Sequence, residues 1–384
     1  MRPLTSAPLA LTSEDILEYS MALLQAHLPF VRHHGSRWHT ADIWRTLVAA
    51  AVQGTSIEAA CNDWQDGPDS NTIRAVLRAC VDNARLDVIE TATNACLQSA
   101  LPRWLRQHAL EVAIDLHDEP YYGRSAQETA FIVRGQAQRG TTHFYRVATA
   151  YVLQRGVRLT LAVKFLAKDD TPTYAAQALL QCLKQAGIAL RCLYADKGFR
   201  SVAFFRFLQA QALPAIIAVP LNQGARGMGA HAHGRRSYRT VHTFQHPQWG
   251  AITVPVVLVR LWEKRHGKRV YHWLGFVVLH LRAEPHVVRQ MYRRRFGIES
   301  GYRLLEQVRI VTSSRCAAWH FFFMALALLL LTAWNCLQWH YTRTWQRHTV
   351  VLREGVLRLH RFMRLILHAV ELRFHLLTAI PLSL

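Results

Sequence analysis

From Ala317 to Trp334 the chain runs for 18 residues with almost no polar side chain, through Phe321-Phe322-Phe323-Met324 and Leu328 to Leu331. A stretch this long and apolar has two solutions. It crosses a bilayer, which takes about 20 apolar residues, or it is a helix buried on all sides by a large core. His320 interrupts the run, Thr332 falls in its last turn, Asn335 and Gln338 follow it, and the sequence has no second stretch of the kind. The expectation is a buried core helix and no membrane partner. A core of that size is within reach of 384 residues, enough for two or three domains.

The formal net charge is +21 and the sequence pI about 10.3, with basic residues spread along the whole chain. Solubility does not require so much charge. It points to a polyanionic partner, nucleic acid first and an anionic membrane surface second. The seven cysteines form no Cys-x-x-Cys pair and are odd in number. That pattern suggests reduced thiols in the cytoplasm, here nucleoid-associated, and argues against a structural zinc or a disulfide framework. The N-terminus lacks the features of a signal peptide. His231 and His233 could chelate a metal, but a basic, Gly-rich loop is the commoner setting for such a pair.

Residues 1–108 read as helical. Thr12-Ser13-Glu14-Asp15 caps a helix from Ile16 to Leu28, and Ala41 to Val52 repeats apolar residues at helical spacing. Short helices over Ser56 to Asp63 and Ser70 to Val81 flank the turn Asp66-Gly67-Pro68-Asp69, a pattern open to a helix-turn-helix or to an ordinary helix pair. A longer helix follows from Leu86 to Leu105. At Ala109 the period changes to two: Leu110, Val112 and Ile114 alternate with Glu111, Ala113 and Asp115, placing Asp115 on the opposite face from the apolar set. Strands through Tyr145 to Leu153 and Val157 to Phe165 are joined by an Arg155-Gly156 hairpin turn. Then come a helix from Ala175 to Ala186, a strand from Ile188 to Tyr194 ending at Asp196-Lys197-Gly198, a helix from Ser201 to Gln211 and a strand from Ala215 to Val219. This order predicts an α/β fold with a mixed sheet flanked by helices. After a Gly-, Arg- and His-rich loop, strand-like runs at Ile252 to Leu261 and Val270 to Leu279 carry Trp249, Trp262 and Trp273, most simply as core residues. A basic amphipathic helix is expected from Val350 to Leu376.

In Met291 to Gln307, Tyr292, Arg295, Glu299, Tyr302 or Arg303, and Glu306 recur at steps of three and four and so share one helical stripe. A carboxylate inside an aromatic and basic stripe suits a metal ion bound beside a phosphodiester, with Arg and Tyr on phosphate oxygens. A solvated helix with ordinary ion pairs explains the same spacing.

Strand-borne Asp115, strand-end Asp196 and helix-borne Glu299 together resemble the DDE triad of RNase H-like transposases. Tyr292, Arg295 and Glu299 are similar to the Tyr-x2-Arg-x3-Glu-x6-Lys signature of insertion-sequence-4-like transposases. Ile114-Asp115-Leu116-His117-Asp118-Glu119-Pro120-Tyr121-Tyr122-Gly123 and Asp196-Lys197-Gly198-Phe199 resemble the halobacterial-type branch. The resemblance spans about Ala109 to Gln338. It implies an RNase H-like core over 109–220 and 284–345, a β-rich insertion over 221–283 before the last catalytic helix, a terminal-repeat-binding domain over 1–108, and a basic helix over 346–384 for dimerisation or DNA contact.

Asp115, Asp196 and Glu299 are then the catalytic, metal-binding carboxylates, for two Mg²⁺ or Mn²⁺ ions. Tyr292, Arg295, Arg303, Lys197 and Arg294 are the DNA-binding residues. The implied partners are double-stranded transposon ends and target DNA, bound by a homodimer in a synaptic complex. The implied reaction is metal-dependent end cleavage followed by strand transfer. Glu306 departs from the signature Lys, which keeps open a DNA-binding derivative without catalysis. A nuclease that never joins strands is a further alternative, and Asp118 competes with Asp115 for the first metal role.

Overall fold

The protein is described by a computed structural model covering residues 10–28, 30, 37–123, 130–138, 140–154, 157, 159–222, 227–265, 268–346 and 349–379, without the side chains of residues 265, 298–300, 345, 346, 349 and 350. The expected Arg155-Gly156 turn lies outside the described residues. The N-terminal part is helical: α1 (Ser13–Gln25), α2 (Thr40–Gln53), α3 (Ile57–Asn62), α4 (Ser70–Cys80), α5 (Leu86–Ser99) and α6 (Arg103–Arg106). Thr12 and Asp15 form a reciprocal capping box at the start of α1, and Asp69 caps α4 through the Thr72 amide. The helix expected from Leu86 to Leu105 is two helices. Pro102 has no amide proton to donate and disfavours helical backbone at the residue before it, so α5 ends and α6 restarts beyond it.

The remaining elements are β1 (Leu110–Pro120), β2 (Ile132–Gln138), β3 (Thr141–Val152), β4 (Thr160–Leu166), α7 (Pro172–Gln185), β5 (Leu190–Ala195), α8 (Val202–Ala210), β6 (Ala215–Val219), β7 (Tyr238–His246), β8 (Gly250–Arg265), β9 (Lys268–Leu279), α9 (Pro285–Arg293), α10 (Phe296–Leu305), α11 (Ala317–Thr342), β10 (Arg343–Gln346), β11 (Thr349–Leu352) and α12 (Leu359–Phe374). Nine strands form one mixed sheet in the order β2-β3-β1-β5-β6-β9-β8-β7, with β4 also on β3. β1, β5 and β6 run parallel, while β3 and β9 flank them antiparallel. The strands of 221–283 therefore belong to this sheet, which they join where β9 pairs with β6.

One face of the sheet packs on α7 and α8 through Val112, Ile114, Leu193, Ile217 and Leu179. The other carries Ala113, Tyr194, Ile216 and Phe276 against Val288 and Tyr292 of α9. A third core gathers α1, α2, α5 and α12 around α11 and reaches β3 and β4 through Tyr145 and Phe165. Helix α11 is the long apolar segment, and its 18-residue apolar window is wholly buried within the protein. That burial is the outcome expected from the interrupting polar residues, which find backbone acceptors: Thr332 donates to Leu328 and Asn335 to Leu331.

Two helical expectations need correction. The C-terminal helix begins at Leu359, not Val350, because residues 349–352 pair with β10 and a turn around Gly355 separates the two. Its apolar face, including Phe362, Ile366 and Val370, is buried in the core it shares with α1 and α2. The stripe from Met291 to Gln307 is likewise two helices. Three-residue hydrogen bonds, Arg294 to Met291 and Arg295 to Tyr292, tighten the chain between α9 and α10.

Candidate active site

The parallel register of β1 and β5 ends with Ile114 opposite Ala195, so Asp115 and Asp196 are the next residues on neighbouring strands although 81 positions separate them in sequence (196 − 115). Asp115 shares the α9–α10 face with Ala113, as the alternation predicts. β1 does not end there. It continues to Pro120 because β3 pairs with it as far as Phe144. Asp196 ends its strand in a tight turn and accepts the Gly198 amide at 2.8 Å. A Cβ at Gly198 would stand 3.0 Å from an Asp196 carboxylate oxygen, so glycine keeps that carboxylate in place.

Asp115 accepts the Leu116 amide at 3.0 Å and a guanidinium proton of Arg295 at 3.1 Å. Burial pushes its carboxyl up to about 6, the Arg295 charge opposes the shift, and the nearby Asp196 carboxylate adds to it. Arg295 is itself 8% exposed and lies with its guanidinium 5.6 Å from the Tyr292 ring centre. The Tyr292 hydroxyl donates to the Ala195 carbonyl at 3.4 Å, beside Asp196, and burial holds its phenol near 12.

Farther along, the Tyr302 and Thr149 hydroxyls share a hydrogen bond of 2.6 Å, and Thr149 is the cross-strand partner of Asp115. The Tyr302 ring stacks on His117 at 4.6 Å. Helix α10 is thus fixed over β1 and β3 by Arg295 before Glu299 and by Tyr302 after it. Glu299 lies between these anchors in α10, but its side chain is outside the described residues.

The family profile described as "Transposase DDE domain" matches residues 112–336, more than half of the chain. The chain belongs to the transposase DDE domain family. It is a DNA transposase, and the mixed sheet between helices is consistent with an RNase H-like core. A piggyBac transposase solved by cryo-EM as a synaptic complex with hairpin DNA has the same fold, with a TM-score of 0.54 over 97% of this chain and 80% of that one at 11% identity. No curated protein matches the chain.

Other carboxylates of this transposase's β1 are held by cations. Asp118 accepts two hydrogen bonds from Arg146, at 2.6 and 2.7 Å. Buried Glu111 binds Arg191 and Arg294, each at 2.7 Å. Glu119 binds Arg309 at 3.2 Å and His320 at 3.1 Å. Asp118 lies within β1, and its acceptors are committed to Arg146. Arg294 is turned to Glu111, four residues before Asp115 on the same strand face, and so stands apart from the two aspartates. Arg303 and Lys197 are exposed and form no ion pair among the described residues, whereas Glu306 is exposed at the end of α10.

The sequence reading overlooked His117 and Thr149. The two-residue alternation that placed Asp115 also places His117 on its face. Thr149 needed the β1–β3 register, which one sequence does not display.

DDE transposases generally use divalent metal ions. The donors here fit such an ion: two carboxylates at one level on adjacent strands, one of them raised chiefly by burial and further by the other's charge, are an all-oxygen set whose repulsion a divalent cation relieves. No group of three metal-ligating side chains occurs among the described residues, of which the Glu299 side chain is not one.

Proposed function

We propose that this chain is a cut-and-paste transposase of the insertion-sequence-4-like type, in its halobacterial-type branch, using Asp115, Asp196 and Glu299 as the three metal-holding carboxylates. The observation that carries the assignment is the level pairing of Asp115 and Asp196 under a helix fastened to Asp115 and its partner Thr149. Asp118 offers a poorer site, because Arg146 already neutralises it.

Two divalent ions, Mg²⁺ or Mn²⁺, would activate the attacking oxygen and neutralise charge on the leaving oxygen. The chain's own residues position the strand. Tyr292 and Arg295 line the Asp115–Asp196 side, where a phosphate oxygen can compete for the Arg295 guanidinium. Exposed Lys197 and Arg303 supply further phosphate contacts, and Arg303 stands one helical turn before Glu306, where the signature has Lys. Arg294 serves the fold through Glu111 more than the DNA. The partners are transposon terminal repeats and target DNA, held by two copies of the chain in the cytoplasm, associated with the nucleoid.

Incubation of the purified chain with duplexes carrying its terminal repeats tests the reading. Nicking should require Mg²⁺ or Mn²⁺ and vanish in Asp115→Ala, Asp196→Ala and Glu299→Ala. Variants that cut as well as the parent would sink the site assignment, and pre-cut ends that never join target DNA would leave a nuclease.

A further inference from the structure

The β8–β9 hairpin outruns the sheet. Strand β6 ends opposite Gly275 and β7 begins opposite Leu258, so beyond these points neither strand pairs with a further strand among the described residues, and Arg260 is met by Ser237 and the Arg235 carbonyl of the segment leading into β7. The two strands continue paired to Arg265 and Lys268, roughly 20 Å farther at the usual rise per residue.

Side-chain alternation sorts this free arm. Cross-strand pairs Arg260 with Trp273, Trp262 with Tyr271 and Lys264 with Arg269 share one face. Leu261 with His272 and Glu263 with Val270 share the other. The Trp and Tyr rings of the arm and three of its described cations, Arg260, Lys264 and Arg269, thus lie on one side, while Glu263, His272 and Lys268 lie on the other. The cationic side continues the α7–α8 face, since Val256, Leu258, Val277 and partly buried Trp273 all pack there. Asp115 lies on the opposite face, toward α9 and α10.

Trp262 and Tyr271 are 57% and 48% exposed, too open for core residues. Their rings are covered by guanidiniums: Arg260 lies 3.8 Å from the Tyr271 ring centre and Arg269 4.8 Å from that of Trp262. A guanidinium thus occupies one face of each ring, where a stacked base would have to displace it. The rings hold the two arginines in place, Arg260 with one guanidinium nitrogen also donating to the Arg235 carbonyl at 3.1 Å, which lowers the entropy lost when the remaining N–H groups meet a phosphate.

We propose that this arm is a platform for the sugar-phosphate backbone of duplex DNA, gripping a segment other than the one whose phosphodiester reaches Asp115. The proposal rests on the transposase reading for its partner, and on the arm alone for its location.

The test uses the full chain and a labelled duplex of unrelated sequence, with affinity measured by anisotropy across a salt series. Arg260→Gln combined with Arg269→Gln should weaken binding about tenfold or more and make the salt dependence shallower by about 1.8, from about 0.9 per lost phosphate contact. Metal-dependent nicking of terminal-repeat DNA at saturating concentration should persist. Trp262→Ala with Tyr271→Ala keeps the charges, so it should weaken binding less and leave the salt slope unchanged.

Double-arginine variants with the parent's affinity and slope overturn the platform. So does a Trp262→Ala, Tyr271→Ala protein that loses oligo-dT more than duplex, because the rings then stack bases. Binding lost on phosphatidylserine vesicles but kept on duplex overturns it in favour of a membrane surface. A parent chain that binds no duplex at all overturns the transposase reading itself, a result distinct from unchanged variants of a parent that binds.

Discussion

Glu111 and Asp115 lie four residues apart on the same face of one strand, yet their surroundings differ in kind. Glu111 is enclosed by two arginines, and Asp118 and Glu119 farther along are also met by cations. Asp115 shares its single described arginine partner with the field of a second carboxylate. A buried acid whose charge is fully matched maintains the fold. One held next to another acid spends stability, and the natural return is a cation or substrate that relieves it.

The sharpest way to break this contrast is catalytic. Asp115→Asn or Asp196→Asn should lower metal-dependent nicking by at least about a thousandfold, since metal stabilisation of the transition state is worth several kcal/mol. Asp118→Asn and Glu111→Gln should stay within about tenfold of the parent in the same assay. If Asp118→Asn abolishes nicking and Asp115→Asn does not, the two aspartates exchange roles.

The next effect is on stability against pH. The Asp115 carboxyl is raised from 3.8 to about 6, so the folded state binds its proton more tightly than the unfolded state does. Its contribution is therefore favourable below pH 4 and is lost as pH rises through 6, a span of about 3 kcal/mol at most. Thermal melts from pH 4 to 8 should show this component in the parent and not in Asp115→Asn. Added Mn²⁺ at pH 7.5 should raise the parent's melting temperature and leave that of the variant unmoved.

Glu111→Gln should cost about 1 kcal/mol, a small figure because Arg191 and Arg294 are more than half exposed and water screens them. Asp118→Asn should cost about 1–2 kcal/mol for its two charge-assisted bonds. Urea melts measure both. The smallest change is Glu306→Lys, which restores the signature charge at an exposed site and should raise nicking at limiting DNA by about threefold. No change would mean the position is tolerant.

Much of this contrast was legible in the sequence. The two-residue alternation around Asp115 and the strand end at Asp196 come directly from apolar spacing, whereas the helical stripe through Tyr292, Arg295 and Glu299 is broken in the structure between α9 and α10. The long apolar helix was legible because its polar residues all find partners inside the protein: Thr332 and Asn335 bond their own helix, His320 meets Glu119 and the Ser314 carbonyl, and Gln338 the Leu357 carbonyl. What escaped notice depended on distant partners. β2 escaped because only Ile132 and Val133 of its seven residues are buried and the rest is polar, Gly or Ala. The bend at Arg294 and Arg295 contains no Gly or Pro, and it becomes intelligible once Glu111 and Asp115 are seen to hold the two arginines. Trp262 reads as core by composition, and its exposure follows from the length of a hairpin that passes its neighbours.

Helix α12 closes the molecule onto its beginning. Leu376 bridges Trp64, the amides of Gln65 and Asp66 bond to the His375 and Phe374 carbonyls, and Phe374 meets the Trp64 ring. During synthesis, then, the helices near the N-terminus emerge first and wait for the last turn of chain to complete their core. A chain clipped before α12 lacks that completed unit, so the N-terminal helices acquire their full core only after α12 has been made.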